Sequence, residues 1–487
     1  MSDSGTNDAA VPAGWEVVIG LEVHAELATA TKMFCGAPNQ FGGEPNTNVD
    51  PVSLGLPGTL PVLNRKAVEL AIRTGLALHC SVQRSIFARK NYFYPDMPKD
   101  YQISQYDQPI NVDGWLELPD GTRIGIERAH LEEDTGKSTH MGGASGRIQD
   151  AGYSLVDYNR AGVPLLEIVG RPDLRSAEHA RQYVSELRAI LVAIGASDGK
   201  MEEGSMRVDA NVSVRREGAS EYGLRCEIKN VNSLRSLGRA IEYEARRQVD
   251  LIESGERVHQ ETRHWDEAAG VTRPGRSKED AEDYRYFPEP DLVPVDPDPA
   301  WIDEIRAALP ALPADRRHRL AEAASVEPGD VAIAVERELD DLALAAIVAG
   351  ADATRVLTHV EHNLAVEGAE KLDPAAFAEL VTMETGGELS ATQTKQVLAD
   401  MVATGKGPRE IAAERGFEAM DTSELAATLD GIIAANADVW AELVAGDDKA
   451  RKKKTGFFVG QVMQATKGQA DGKVVNKLLA ERIAAAG

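Results

Sequence analysis

A proline-rich stretch divides this chain into two parts of different character. Five prolines lie between Pro288 and Pro299, and proline cannot occupy the interior of a helix or of a central strand. The residues before this stretch are rich in glycine and in short alternating segments, whereas the composition after about Ala314 shifts to Ala, Leu, Glu and Asp with helical periodicity. We therefore predict an α+β part with an antiparallel sheet, a linker over Pro288–Pro313, and an all-helical part.

Composition sets the remaining domain boundaries. Residues 1–14 are small, polar and slightly acidic, which is typical of a disordered lead-in and not of a secretory signal. The mixed part is predicted over 15–295, the linker with a helical domain over 296–410, and a helical tail domain over 411–487. The last boundary follows from glycines and a proline that interrupt the helical pattern near Gly405–Arg415.

Three local patterns predict individual helices. Apolar residues at helical spacing and a following glycine indicate a helix over about Ser176–Ile194. In the all-helical part, Asp340–Val348 and Val397–Val402 have the pattern of short packed helices.

The charge balance argues against a nucleic-acid partner. The formal net charge is −25, whereas nucleic-acid binding usually needs a basic surface. The exception is the end of the chain, because Ala441–Gly487 holds nine Lys or Arg against five Asp or Glu. A solvated basic helix surface is the alternative interpretation of that segment.

The chain shows no sign of a membrane or secreted protein. No apolar run approaches about 18 residues, the length that a membrane span needs. Three cysteines in a chain of 487 residues do not form a disulfide framework and favour a reducing cytoplasm.

The first strand-like segment places polar side chains on one face. In Glu16–Leu27, Glu22, His24 and Glu26 alternate with apolar residues, so all three share one side of a strand. Carboxylates with one imidazole suit Mg²⁺ or Mn²⁺. The alternative is the solvated face of an edge strand.

Similar mixed faces recur further along the chain. Met206–Val214 alternates apolar residues with Arg207 and Asp209, and Arg225–Lys229 places Glu227 and Lys229 on one face. A face with both signs of charge can bind metal and phosphate together, although a solvated sheet face has the same mixture.

Two further acidic segments are ambiguous. In His130-Leu-Glu-Glu-Asp134 the alternation is interrupted, so periodicity does not show which carboxylate points inward. Glu167 is a lone acid in an apolar run, and it needs either a cation or a structural salt bridge.

Common nucleotide-binding motifs are incomplete in the sequence. Gly136-Lys137-Ser138 resembles the end of a phosphate-binding loop, but Leu131 stands where the first glycine would be needed. No cysteine lies in a recognisable nucleophile motif. The acidic segments therefore favour metal-assisted phosphoryl chemistry over nucleophilic acyl transfer.

A series of longer motifs resembles the B subunits of the aspartyl/glutamyl-tRNA amidotransferases. The motifs occur in the family's order from about residue 15 to the end of the chain. They are Gly20-Leu-Glu-Val-His-Ala-Glu-Leu27, Arg89-Lys-Asn-Tyr-Phe-Tyr-Pro-Asp96, Tyr101-Gln-Ile-Ser-Gln105, His130-Leu-Glu-Glu-Asp-Thr-Gly-Lys-Ser138, Asp157-Tyr-Asn-Arg160, Lys200-Met-Glu-Glu-Gly-Ser205, Arg207-Val-Asp-Ala-Asn211, Glu227-Ile-Lys-Asn-Val-Asn232, Asp283-Tyr-Arg-Tyr-Phe-Pro-Glu-Pro-Asp291 and Phe458-Val-Gly-Gln-Val-Met463.

The resemblance implies a fold and a reaction. The fold would be a catalytic cradle related to glutamine synthetase, followed by a helical connector and a small helical tail domain that binds tRNA. The partners would be an amidase subunit that acts as a glutaminase, a small third subunit that completes a heterotrimer, and mischarged tRNA. The reaction would use ATP and Mg²⁺ to phosphorylate the side-chain carboxylate of the mischarged amino acid, which ammonia then amidates.

The resemblance also implies site residues. The expected metal ligands are Glu22, His24, Glu133 and Glu167, with Glu26, Asp209 and Glu227 as candidates for a further metal. The expected contacts to phosphate or substrate are Lys90, Arg160, Arg207, Lys229 and Arg285. The expected tRNA-binding residues of the tail are Lys452, Lys453, Lys454, Lys467 and Lys473.

One departure from the family concerns zinc. Many members carry four thiols as Cys-x-Cys and Cys-x-x-Cys, but the corresponding stretches here read Cys35-Gly-Ala37 and Asp50-Pro-Val-Ser53. One thiol of four remains, so no structural zinc is expected.

Two other functions remain open from the residues themselves. A ligase of the glutamine synthetase type acting on free glutamate would need neither the helical tail nor its basic stretch. A non-catalytic tRNA-binding protein would not need the metal-competent faces.

Overall fold

The computed structural model describes residues 11–142, 151–275, 284–417, 422–445, 448–466, 470 and 472–486. The chain divides into two compact units, Met1–Ala314 and Asp315–Gly487. The first is a mixed α/β unit around one large sheet, and the second consists of helices. This confirms the predicted order of a mixed part and an all-helical part. The lead-in prediction falls mostly on residues 1–10, which lie outside the described residues.

The sheet unit contains fourteen strands and four helices among the described residues. The strands are β1 (Trp15–Glu26), β2 (Ser81–Val82), β3 (Ala88–Asn91), β4 (Tyr101–Ser104), β5 (Asn111–Glu117), β6 (Arg123–Glu133), β7 (Lys137–Met141), β8 (Tyr153–Asp157), β9 (Pro164–Gly170), β10 (Met206–Arg216), β11 (Cys226–Val231), β12 (Thr262–Asp266), β13 (Val271–Pro274) and β14 (Phe287–Pro288). The helices are α1 (Arg65–Ala77), α2 (Ala177–Ala193), α3 (Leu234–Glu253) and α4 (Pro299–Ala307).

Twelve of these strands form one sheet. Its order is β13-β12-β11-β10-β1-β9-β6-β4-β3-β14, and β5 joins β2 to β6 beside that path. Strands β11 and β12 pair in parallel, and the other described pairs are antiparallel. Strands β7 and β8 form a separate hairpin. The sheet is therefore mostly antiparallel, and its long central strands are β1, β6 and β10.

Alternation along β1 determines which face of the sheet is apolar. Val17, Ile19, Leu21 and Val23 are at most 3% exposed and lie in the main hydrophobic cluster. Side chains of α1, α2 and α3 belong to the same cluster. Because neighbouring residues of a strand point to opposite faces, the polar residues of β1 are on the other side of the sheet.

Helix α2 confirms the prediction over Ser176–Ile194. Its first turn is capped by the Ser176 side chain, which accepts a hydrogen bond from the backbone N–H of His179 at 3.0 Å. Tyr183 and Leu187 are fully buried at helical spacing, so apolar burial and the cap act together to stabilise this helix.

The segment predicted as a linker is more ordered than expected. It contains α4, and Ile305 of that helix is only 4% exposed within the main cluster. Pro299 does not prevent the helix because it is in the first turn, where a backbone N–H has no helical partner. Asp298 caps the same turn by accepting a hydrogen bond from the N–H of Ala300 at 2.8 Å.

The helical unit begins within a helix that crosses the boundary between the two units. In chain order its helices are α5 (Pro313–Ala324), α6 (Ala332–Glu336), α7 (Asp340–Val348), α8 (Ala353–His362), α9 (Pro374–Thr385), α10 (Ala391–Thr404), α11 (Pro408–Glu414), α12 (Thr422–Ala435), α13 (Ala437–Ala445), α14 (Asp448–Ala465) and α15 (Gly472–Ala486), with short 3-10 turns at Pro328–Val331 and Ala369–Lys371. The helices predicted at Asp340–Val348 and Val397–Val402 are confirmed as α7 and as part of α10.

Two separate hydrophobic clusters stabilise this unit. One runs from Leu320 to Ala412 and the other from Leu425 to Leu479. The structure differs from the sequence prediction near Gly405–Arg415, because α11 occupies most of the segment predicted as a break. Pro408 begins that helix, a position where proline is tolerated. The predicted boundaries at 296 and 411 remain predictions.

Membrane insertion through a helix has no support in the described part of the chain. None of the helices there combines the length and the apolar character that a bilayer span requires.

Candidate active site

The polar face of the sheet carries a row of charged side chains across its central strands. His24 of β1 lies opposite Glu167 of β9 on one side and opposite Arg207 of β10 on the other. Glu167 in turn lies opposite His130 of β6. Because residues that pair across strands share a face, strand register alone brings these four side chains together.

Three of the side chains on this face converge closely enough to bind one cation. We call His24, Glu132 and Glu167 the acidic centre. His24 Nε2 lies 3.7 Å from Glu167 Oε2 and 3.9 Å from Glu132 Oε1, and one ligand atom from each residue falls within 4.8 Å of the others. Oxygen ligands with one imidazole are a set that Mg²⁺ or Mn²⁺ accepts.

The two carboxylates of the acidic centre have opposite pKa shifts. Burial, followed by the nearby charge of Glu167, raises the pKa of Glu132. Burial also acts to raise the pKa of Glu167, but the hydrogen bond and charge of His130, with the charge of His24, hold it well below the usual range. His130 Nε2 is 3.2 Å from Glu167 Oε2. Glu167 is thus the stably ionised member of the pair. A bound cation would favour the ionised form of Glu132 as well.

Cationic side chains surround the acidic centre. A cavity of about 340 Å³ is lined by His24, Glu132 and Glu167 together with Lys90, Tyr92, Gln102, Asp134, Thr135, Leu165, Arg207, Asp209 and Lys229. Lys90, Arg207 and Lys229 therefore bring positive charge to the lining of the same cavity. A pocket with carboxylates at its centre and cations around them is suited to a metal-bound phosphate.

Glu133, a predicted metal ligand, is not part of the acidic centre. Its carboxylate pairs with Lys99 and accepts a hydrogen bond from the backbone N–H of Ile103 at 2.9 Å. Glu132 and Glu133 are consecutive residues of β6, so their side chains leave the strand in opposite directions. The structure thus brings Glu132, which the sequence had not singled out, into the position expected for Glu133.

Glu22 is close to the acidic centre but has a different environment. It accepts a hydrogen bond from Asn211 Nδ2 at 2.9 Å and lines a neighbouring cavity of about 430 Å³. Burial raises its pKa, with further contributions from the charges of Glu167 and Glu227. Glu22 shares the face of His24, as predicted, but it is not in the three-residue cluster.

The three candidates for a further metal site, Glu26, Asp209 and Glu227, have two different environments. Asp209 and Glu227 both bind Lys229, with Nζ–oxygen distances of 2.6 Å and 2.9 Å. Glu26 lies apart from this group, and burial with the charge of Asp134 raises its pKa to about 7. Asp209 and Glu227 therefore hold Lys229 in place, whereas Glu26 is a carboxyl that readily takes up a proton.

Two of the predicted substrate-binding arginines are outside the lining of this cavity. Arg160 donates hydrogen bonds to the backbone oxygens of Thr135 and Gly136, each at 2.9 Å. Arg285 is exposed and has a positive φ of 45°, while its carbonyl oxygen accepts a hydrogen bond from Asn91 Nδ2 at 2.9 Å. Arg160 thus orders the loop beside the cavity.

Comparison with known proteins decides the family. The GatB/GatE catalytic domain matches residues 17–303 and the GatB domain matches residues 346–483. The B subunit of the aspartyl/glutamyl-tRNA(Asn/Gln) amidotransferase of Nocardia farcinica is 50% identical, covering 97% of this chain and 96% of the relative. That of Moorella thermoacetica is 50% identical, covering 96% of this chain and 100% of the relative. The chain belongs to this family.

The basic tail of this amidotransferase B subunit is described only in part. Lys454 of α14 forms an ion pair with Glu442 of α13. Lys452, Lys453 and Lys473 are on helices, but their side chains, like Lys467 as a whole, lie outside the described residues. Their assignment to tRNA binding remains a prediction.

The loop at the family's zinc position is held here by hydrogen bonds. The backbone N–H of Lys32 donates to Ala37 O at 3.0 Å, and the N–H of Asp50 donates to Ser53 Oγ at 3.1 Å. The one thiol there, Cys35, is free and half-buried. A methyl group, a hydroxyl and a carboxylate in place of the other thiols do not fit a four-thiolate site.

Proposed function

We propose that the acidic centre uses ATP to phosphorylate the side-chain carboxylate of the mischarged amino acid. As a family member, the chain is the B subunit of a ligase that converts Glu-tRNA(Gln) or Asp-tRNA(Asn) into Gln-tRNA(Gln) or Asn-tRNA(Asn). The observation that carries the proposal is the convergence of His24, Glu132 and Glu167 in a cavity that Lys90, Arg207 and Lys229 also line.

The reaction needs an activated carboxyl group. A carboxylate does not react with ammonia because an oxide ion is a poor leaving group. Attack of a carboxylate oxygen on the γ-phosphorus of ATP breaks the bond to ADP and gives an acyl-phosphate. Ammonia then attacks the acyl carbon, the bond to phosphate breaks, and the amide forms with loss of a proton.

The residues present fit a divalent cation. Ligands at about 2.1 Å from Mg²⁺ lie roughly 3–4 Å apart in octahedral geometry, and the distances from His24 Nε2 to the two carboxylates are 3.7 Å and 3.9 Å. We assign the ligands to His24, Glu132 and Glu167. When bound, Mg²⁺ would neutralise phosphate oxygens and align the γ-phosphoryl group.

The cations of the cavity complete the site. Lys90 extends from β3 on one side, while Arg207 and Lys229 extend from β10 and β11 on the other. We infer that they bind the phosphates and the charge that develops during transfer. Arg207 is ion-paired with Asp134, so its guanidinium has a fixed position before substrate arrives.

The remaining features of the enzyme are inferred from the family. We expect a cradle of the glutamine synthetase type in the sheet unit, a heterotrimer with a glutaminase partner and a small third partner, and a cytoplasmic location. The designation of the relatives as B subunits supports a complex. The second hydrophobic cluster, Leu425–Leu479, supports a separate tail domain, which we propose binds the tRNA.

Substitution of the imidazole tests the proposal. In the assembled enzyme, His24→Ala should lower tRNA-dependent formation of ADP by about 100-fold or more, since a lost electrostatic contact to the transition state costs that much. Glutamine hydrolysis by the glutaminase partner should persist.

The matched control is His179→Ala. His179 lies on α2 of the same unit, where it pairs with Asp120 at 3.3 Å, and this variant should keep full activity. ADP formation at the wild-type rate in His24→Ala would refute the assignment.

A further inference from the structure

A group of tyrosines lies at the β14 edge of the polar face. We call Tyr106, Tyr284 and Tyr286 the tyrosine cluster. The rings of Tyr106 and Tyr286 stack with centroids 4.0 Å apart and an interplanar angle of 8°. Tyr284 meets Tyr286 edge-on, with centroids 6.1 Å apart and an angle of 73°. The three rings therefore support one another at fixed orientations.

The tyrosine cluster adjoins the cavity of the acidic centre. Phe287 pairs with Arg89, which places Tyr286 level with Lys90 on the adjacent strand. Lys90 Nζ is 4.7 Å from the ring centroid of Tyr284, and Lys90 also lines the cavity. Lys90 therefore links the aromatic rings to the charged pocket.

The electrostatics of Tyr286 show the same proximity. Burial raises the pKa of its phenol, with further contributions from the charges of Glu132, Tyr284 and Glu167. Two of these four effects come from carboxylates of the acidic centre. Tyr286 therefore lies close enough to the acidic centre for the charges of its carboxylates to act on the phenol.

One ring of the cluster is open to solvent. Tyr106 is 56% exposed, although a stacking partner holds one of its faces. Tyr183, by contrast, packs in the core and is fully buried. Tyr106 thus presents a flat, pre-positioned aromatic face beside a pocket built for phosphate. Aromatic side chains in that setting bind nucleobases by stacking.

We propose that Tyr106 stacks on the adenine ring of a substrate, with Tyr286 and Tyr284 holding it in position. This inference rests on the proposed function, because both ATP and the 3′ end of tRNA carry an adenosine. Tyr106 follows β4, the strand next to β6, whereas Tyr284 and Tyr286 precede β14, so the tyrosine cluster lies beside strands β4, β3 and β14. A nucleotide laid across these strands would place its base at the tyrosine cluster and its phosphates beside Lys90 and the acidic centre.

Binding of ATP and of a base-free analogue tests the stacking. In the assembled enzyme, Tyr106→Leu should raise the Kd of Mg-ATP about tenfold, since base stacking on an aromatic ring contributes that much. The Kd of Mg-tripolyphosphate, measured in the same calorimeter, should not change. Tyr106→Phe retains the ring and should bind ATP as the wild type does.

The matched control is Tyr222→Leu. Tyr222 is 57% exposed but lies between β10 and β11, on the far side of β1 from the tyrosine cluster. This variant should bind both ligands normally. Because Tyr106 is largely exposed, the thermal unfolding midpoint of Tyr106→Leu should equal that of the wild type, which separates a lost contact from a lost fold.

A second arm identifies the source of the adenine. If the base belongs to tRNA, Tyr106→Leu should leave ATP binding unchanged. It should instead raise the KM of mischarged tRNA about tenfold when the tRNA ends in adenosine, but not when it ends in cytidine.

Unchanged binding of both substrates by Tyr106→Leu would overturn the stacking proposal while leaving the acidic centre intact. A wild-type enzyme that bound neither Mg-ATP nor Mg-tripolyphosphate would overturn the proposed function and this inference together.

Discussion

Two consecutive carboxylates of β6 have opposite surroundings. Glu132 points into the acidic centre, where burial and the charge of Glu167 raise its pKa. Glu133 points away, with its carboxylate paired to Lys99, and both side chains of that pair are under 5% exposed. The same chemical group thus serves as a candidate ligand where it meets another carboxylate, and as a structural brace where a lysine neutralises it.

The largest expected effect is on stability. Glu133→Gln leaves the buried ammonium of Lys99 without its partner, so the free energy of unfolding should fall by about 3–5 kcal/mol. Glu132→Gln removes one of two neighbouring carboxylates and should change it by less than about 1 kcal/mol. Urea unfolding of the full chain, followed by tryptophan fluorescence, measures both. Equal losses in the two variants would show that the contrast between these positions is not real.

A change in pH is expected to have a smaller effect on the free energy of unfolding. The pKa of Glu26 is raised from its ordinary value of 4.5 to about 7, so the folded state holds this proton more tightly than the unfolded state does. The resulting stability is complete below about pH 4.5 and is lost as the pH rises to about 7. In the absence of divalent cations, wild type should lose about 2 kcal/mol more than Glu26→Gln between pH 5 and pH 8.

The control for this pH effect is the exposed Glu178, which pairs with Arg181 on the surface of α2. Glu178→Gln should follow the wild type across the same range. If wild type and Glu26→Gln had parallel stability curves, Glu26 would be ionised like a surface carboxyl.

Sequence patterns predict the residues that β1 contributes to the polar face better than those that β6 contributes. Alternation in β1 correctly placed Glu22, His24 and Glu26 on one face, because their neighbours are all apolar. In β6 apolar and polar residues alternate from Ala129 to Glu132. Glu133 obscures this pattern, because it is a charged residue on the apolar side that is buried in an ion pair. The pairing with Lys99 is a tertiary contact 34 residues away, and no local pattern could indicate it.

The helices of both units show a similar limit. Helix α7 matches its predicted bounds, where alanines and leucines, which favour helices, follow two acidic residues of the first turn. Helices α4 and α11 were missed because each begins at a proline, which was interpreted as a break. Their apolar residues, Ile305 and Ile411, are buried in the clusters of their units, and this burial is not visible in a proline-rich segment.

The smallest effect on the rate of ADP formation is expected from substitutions in the tail. Changing Lys452, Lys453 and Lys454 to Glu should weaken tRNA binding and flatten its dependence on salt, by roughly 0.7–0.9 units of slope for each lost phosphate contact. At saturating tRNA the rate of ADP formation should match the wild type. A triple variant with unchanged affinity and slope would move the tRNA-binding surface elsewhere.

Metal binding tests the contrast between Glu132 and Glu133 most directly. Titration of the full chain with Mn²⁺ as a stand-in for Mg²⁺, followed by electron paramagnetic resonance, measures the affinity of the site. We predict that Glu132→Gln weakens Mn²⁺ binding by about 10–100-fold or more. Losses of about 10–100-fold are found even for residues that only support a metal ligand. Glu133→Gln should bind as the wild type does while it remains folded. Loss of Mn²⁺ binding in Glu133→Gln, with normal binding in Glu132→Gln, would contradict the assignment of the acidic centre.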